Sequence, residues 1–198
     1  MRLMRIPFFA GLASFIGGAT LLGCSPALDW REVRASAGGL ELLFPCKPSS
    51  QERDMPAGAQ RLNVHLQVCD AADQTFALMS VRRSNPPLSV DEQAEVERSL
   101  IDQSSAKWGL KRELPAAAPE AASAASSGSS SIVSSQLSPA LTASLGRWTH
   151  LSGEKAQVLI FSRANTVFQL SVTSAAAHPS PKAAEGAETF FNSIQAPR

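Results

Sequence analysis

The chain has 198 residues, with 18 lysines and arginines against 17 acidic residues, 44% hydrophobic and 6% aromatic residues, and a formal charge of +1. Nothing in that balance forms the basic stripe that nucleic-acid binding needs, and the length suits one domain around a single core. Patterning along the chain therefore carries the information.

Met1 to Arg5 holds two arginines and no acid, and Ile6 to Leu22 follows without a charge. A basic start, an apolar run and a small residue before the cleavage point describe a secretory signal peptide over residues 1–23, its apolar part a short signal helix. That run is 17 residues long and contains Pro7, Gly11, Gly17 and Gly18. It falls short of the ~20 residues of a spanning helix, so an uncleaved single span is the alternative anchor. Leu21-Leu22-Gly23-Cys24 resembles the bacterial lipoprotein box. The resemblance implies that the Cys24 thiol takes a diacylglyceryl group, that cleavage falls just before it, and that the new amino terminus is acylated. Several acyl chains, at ~0.8 kcal/mol per buried methylene, hold a soluble domain on a membrane where one chain binds reversibly. Ser25, standing where an aspartate would retain the protein, points by the same resemblance to the outer membrane. Removing Arg2 and Arg5 with the leader leaves 16 basic against 17 acidic residues, a net charge of −1.

Residues 24–37 read as a tether, with Trp30 placed either at lipid headgroups or over the domain core. A single domain is expected over 38–196. Leu40 to Phe44 reads as a strand stopped by Pro45, and Lys47 to Gly58 as a loop. From Arg61 to Val68 the residues alternate, Leu62, Val64, Leu66 and Val68 against Arg61, Asn63, His65 and Gln67, which is the period of a half-buried strand. A turn at Asp70-Ala71-Ala72-Asp73 and a returning strand from Thr75 to Val81 complete a hairpin.

Ser89-Val90-Asp91-Glu92 has capping-box spacing and opens a helix to about Trp108. Val90, Ala94, Ile101 and Trp108 share one side of it, with Val96 and Leu100 beside them and Glu97 inside the same arc. Residues 115–131 form a low-complexity run of alanine, serine and proline, read as a loop whose flanks share one sheet. Beyond it, strands are expected at Ile132 to Leu137, Thr142 to Leu151, Lys155 to Ser162 and Val167 to Thr173. Val158-Leu159-Ile160-Phe161 has no polar alternation, so its strand should be covered on both faces near the middle of the sheet. Ser180 and Pro181 cap a final helix that carries Ala183, Ala187, Phe190, Phe191 and Ile194 at helical spacing.

Chemistry is sparse. No nucleophile elbow, Walker loop, dinucleotide fingerprint or zinc-protease helix is present, so no catalytic residue, no metal ligand set and no cofactor is assigned. Cys46 and Cys69 are a candidate disulfide in an oxidising compartment. Direct pairing of the strands that end at these cysteines would hold them ~20 Å apart, beyond the reach of a bond, so a bridge requires that those strands are not register partners; two buried thiols are the other reading. His65, His150 and His178 are isolated in sequence, and the strand phases of His65 and His150 put them at the surface. A ligand, metal or catalytic site would have to be assembled by the fold from distant residues such as His65, His150 and Glu97.

The words Leu43-Phe44-Pro45-Cys46-Lys47-Pro48, Thr75-Phe76-Ala77-Leu78 and Glu188-Thr189-Phe190-Phe191, in this order of elements, resemble proteobacterial envelope lipoproteins of the PsbP type. The similarity runs in outline from Gly38 to Ile194. It implies an α+β fold, an antiparallel sheet of about five to six strands covered by two main helices in a sandwich, and a non-enzymatic accessory or binding role. The expected partners are the membrane, through the N-terminal lipid, and an envelope protein; the expected location is the periplasmic face of the envelope, with no nucleic acid involved.

Overall fold

The computed structural model describes residues 28–35, 39–57, 60–113, 148–176 and 178–195. The expected signal peptide, Cys24, the low-complexity run, the strand expected at Ile132 to Leu137 and the start of the one expected from Thr142 lie outside the described residues. Among the described residues, nine strands and two helices follow in chain order: β1 (Arg31–Arg34), β2 (Glu41–Phe44), β3 (Ser49–Ala57), β4 (Gln60–Ala71), β5 (Gln74–Arg82), α1 (Val90–Trp108), β6 (Lys111–Glu113), β7 (Trp148–Ser152), β8 (Ala156–Arg163), β9 (Thr166–Ser174) and α2 (Pro181–Asn192).

The fold is α+β. Seven strands form one antiparallel sheet in the order β3-β4-β5-β9-β8-β7-β6, and β1 and β2 form a separate two-stranded sheet. The sheet thus exceeds the expected five to six strands. The additional ones are its two edges. β3 was expected to be loop because its sequence, Ser-Ser-Gln-Glu-Arg-Asp-Met-Pro, carries no apolar alternation, yet it pairs with β4 from Ser49 opposite Val68 to Ala57 opposite Gln60. β6, Lys-Arg-Glu, is a three-residue strand on the other side. Charged, short or proline-bearing edges leave little template for pairing with another chain. The tether expected to run to Ala37 also contains structure, since β1 pairs with β2 and Trp30 and Val33 pack on the core.

Two apolar layers hold the sandwich together. On one face Val81, Leu88, Leu110, Leu151, Ala156, Val158, Ile160 and Val167 are buried beneath α1, whose Val96, Leu100, Ile101 and Trp108 pack on them. On the other face α2 and the β1-β2 hairpin cover Phe76, Leu78, Leu159, Phe161, Phe168, Leu170 and Val172 with Phe44, Phe190 and Phe191. β8 sends Val158 and Ile160 to the first layer and Leu159 and Phe161 to the second, and it lies beside the central strand β9. The antiparallel pairing of β5 with β9 joins the two halves of the chain into one sheet.

Helix α1 begins as its sequence dictates. Ser89 Oγ accepts from the Glu92 backbone N–H at 3.3 Å, and Ser89 N–H donates to Glu92 Oε2 at 2.8 Å. The helix stops at Gly109, whose φ of 63° is the left-handed conformation that glycine adopts without a Cβ penalty. Val90, expected on the buried side, is 76% exposed; Leu88, immediately before the cap, enters the core instead. Glu97 does point to the sheet, where it accepts a hydrogen bond from the Ser162 hydroxyl.

Glu92 has a second task. The Arg83 guanidinium grips its carboxylate with two bonds, of 2.6 and 2.9 Å, and donates to the Pro86 and Pro87 carbonyls. The Arg83 bonds, followed by those from Ser89, lower the Glu92 pKa from 4.5 to about 2. A depressed carboxyl pKa contributes stability that is complete above the unfolded value and disappears as the pH falls through the folded one. Urea midpoints should therefore place wild type above Glu92→Gln at neutral pH, and the gap should close between pH about 4.5 and about 2. A gap that stays constant across that window would remove Glu92 from the acid response.

Candidate functional site

Among the described residues the fold assembles one covalent cross-link, a disulfide. Cys46 and Cys69 are bonded, with their Cα atoms 6.0 Å apart. The expected obstacle, a hairpin between β2 and β4, does not exist, because β2 belongs to the small sheet and β3 is the strand that pairs with β4. Pro45 ends β2, and the chain crosses to Ser49, which lies opposite Val68. Cys46, three residues before Ser49, is thereby delivered beside Cys69.

The three residues named as a distant site are not brought together. Cross-strand pairing places His65 opposite Ser80, Ser80 opposite Phe168, Phe168 opposite Phe161 and Phe161 opposite Trp148, so His65 on β4 and His150 on β7 are four strand spacings apart, ~19 Å. Glu97 reaches the opposite face of the sheet through α1. His150 is also not a surface residue. It is 3% exposed, with its ring 5.9 Å from that of Phe191, because the phase it occupies on β7 is the one that α2 covers. His178 is exposed before α2. Among the described residues no group of three or more His, Cys, Asp or Glu side chains converges as a metal site.

What the register does bring together is a polar end of the sheet, on the face that α2 covers further along. Phe76 and Leu78 belong to that face, and two-residue alternation continues it through Ser80 to Arg82. Asp54 lies opposite Asn63, Asn63 opposite Arg82, Arg82 opposite Thr166 and Thr166 opposite Arg163, giving one row across β3, β4, β5, β9 and β8. The next row inward is Glu52, His65, Ser80, Phe168, Phe161 and Trp148. Asn63 Nδ2 donates to Glu52 at 2.7 Å and to Asp54 at 3.2 Å, tying the two acids to the β3 edge. Ser80 and Thr166 are buried to 2% and 3% exposure, and Arg82 and Arg163 are half-buried.

The opposite end of the sheet is different. There the β4-β5 turn passes through Ala72 and Asp73, both at positive φ, and Asp70, Gln74, Thr75, Thr173 and Ser174 border an open depression of about 630 Å3. Thr75 Oγ1 donates to Asp70 at 2.6 Å. The described chain begins at this end, with Asp29 N–H donating to the Pro45 carbonyl at 2.7 Å and Leu28 close to Gly186, which also adjoins the Phe76 ring.

Compared with known proteins, the chain matches no family model, no curated protein and no solved structure.

Proposed function

We propose that the protein is a lipid-anchored accessory domain on the periplasmic face of a bacterial envelope, without catalytic activity of its own, that binds a protein partner there. The observation that carries this reading is the Cys46–Cys69 bond. Disulfides persist in oxidising compartments and are reduced in the cytosol, so a bridged domain behind a basic, apolar leader supports an extracytoplasmic reading. The leader ends on Leu-Leu-Gly-Cys, and Leu28 enters the domain four residues beyond Cys24, a short link between an acylated cysteine and the folded sheet. The fold is a helix, an antiparallel sheet and a helix in layers, the coarse α+β arrangement on which this reading builds. Ser25 favours the outer membrane.

Cys24→Ser tests the anchor. The variant should lose acyl labelling and accumulate as an uncleaved precursor, while wild type, crosslinked in the envelope and recovered from it, brings down a defined protein partner. Processing and labelling that survive the substitution sink the lipoprotein reading. A crosslinked envelope that returns the protein alone sinks the partner.

A further inference from the structure

The row Arg82, Thr166, Arg163 has no counterpart elsewhere in the described chain. Two arginines on β5 and β8 flank one residue of the strand between them, two strand spacings apart, ~10 Å between backbones. Both side chains are half-buried. Among the described residues neither takes part in any ion pair or side-chain hydrogen bond, whereas the adjacent Arg83 is gripped by Glu92 and two backbone carbonyls. The carboxylates on this face, Glu52 and Asp54, sit on the far side of Arg82 and are held by Asn63. Among the described residues, the sheet places Thr166 between the two arginines and, one row inward, Ser80, Phe168 and Phe161. Partly desolvated guanidinium groups of like charge, set around a threonine, have no counter-ion among the described residues.

We infer that Arg82 and Arg163 form an oxyanion site, in which a carboxylate or phosphate group seats over Thr166 and takes a forked pair of N–H donors from each side. Guanidinium matches both oxyanions bidentately, and partial burial strengthens the attraction relative to open water. The position bears on where the oxyanion comes from. Six residues of β5 separate Phe76, near the start of the described chain, from Arg82, so the site lies ~20 Å along the sheet from that end. Resting on the anchored reading above for this step alone, the pair faces away from the bilayer that holds Cys24, and the oxyanion belongs to a soluble molecule or to an acidic side chain of a partner, not to a headgroup of that bilayer.

The test uses the full chain in neutral detergent, titrated separately with inorganic phosphate and with a hexaglutamate peptide, against chloride at matched ionic strength. Saturable binding of either probe is expected, and Arg82→Gln or Arg163→Gln should each weaken it roughly tenfold or more, while Arg61→Gln, an exposed arginine near the end of β4, leaves it within about twofold. Arg82→Lys and Arg163→Lys keep the charge and lose the fork, and should fall between wild type and the glutamine variants. Affinities unchanged in the glutamine variants, or reduced as much by Arg61→Gln, overturn the site. A third arm offers vesicles containing an anionic phospholipid; arginine-dependent flotation with no binding of the soluble probes overturns the assignment to a soluble oxyanion. None of these arms requires acylation, so their failure is separable from a failure of Cys24→Ser.

Discussion

Replacing Phe190 with alanine is expected to lower the unfolding free energy by about 3 to 5 kcal/mol. The side chain is fully buried, and its ring meets three others edge-on: Phe44 at 5.2 Å, Phe76 at 5.4 Å and Phe191 at 5.6 Å. Those partners come from different elements, Phe44 from β2 and Phe76 from β5, so Phe190 stands where α2, the small sheet and the large sheet meet. Such ring pairs add roughly 0.5 to 1.5 kcal/mol each beyond burial. The cavity left behind cannot close cheaply, because closing it means moving α2 toward the sheet, and α2 is pinned beyond its C-terminus where Glu41 and Gln195 exchange backbone bonds of 3.0 and 2.7 Å. Urea unfolding of the full chain measures the loss, with Phe190→Leu as a milder companion. A loss under about 1 kcal/mol would place Phe190 outside the core.

What could be foreseen from sequence, and what could not, divides along burial. β8 was legible because Val158 to Phe161 has no polar phase, and α1 because Ser89 and Glu92 cannot satisfy each other's backbone partners at any other spacing. α2 was legible because Phe190 and Phe191 repeat with Ala183 and Ala187 on one side of a helix opened by Ser180 and Pro181. The edge strands were hidden for a physical reason: β3 buries neither face, so no period of two is written into Ser49–Ala57. That omission also obscured the disulfide, since only β3 explains how Cys46 comes beside Cys69. His150 shows a further limit. Its phase on β7 was readable, but whether that phase meets solvent or α2 depends on the layer packed above. The arginine row is harder still. Arg163 and Thr166 flank the recognisable Ala164-Asn165 turn, yet Arg82 joins them only because β5 lies next to β9 across 84 residues of sequence, and strand order is not encoded in local periodicity.

Removing the disulfide, by Cys46→Ala together with Cys69→Ala, should cost about 3 kcal/mol. A cross-link at a separation of 23 residues closes a loop whose entropy the unfolded chain otherwise keeps, and chain-entropy reasoning gives roughly 3 kcal/mol for a loop of that size. Here the loop contains all of β3 and most of β4, so the bond also holds the polar edge strand in register. Beyond its backbone pairing with β4, β3 has little of its own to do this: its side chains from Ser49 to Pro56 are exposed, and the side-chain bonds across to β4 are those of Asn63 to Glu52 and Asp54 and of the Ser49 hydroxyl to the Val68 carbonyl. Three consequences separate this expectation from simple core damage at Cys69, which is 6% exposed. The unfolded state expands when the link is lost, so the denaturant slope should rise as the midpoint falls. Reductant added to unfolded wild type should reproduce the double variant, while leaving the double variant itself unchanged. Hydrogen exchange should then quicken first along Ser49–Ala57, with β8 and β9 still protected, because local opening follows the strands that bury least. Unfolded wild type that titrates with free thiols at both Cys46 and Cys69 before any reductant is added would falsify the bond and, with it, the observation on which the extracytoplasmic proposal rests.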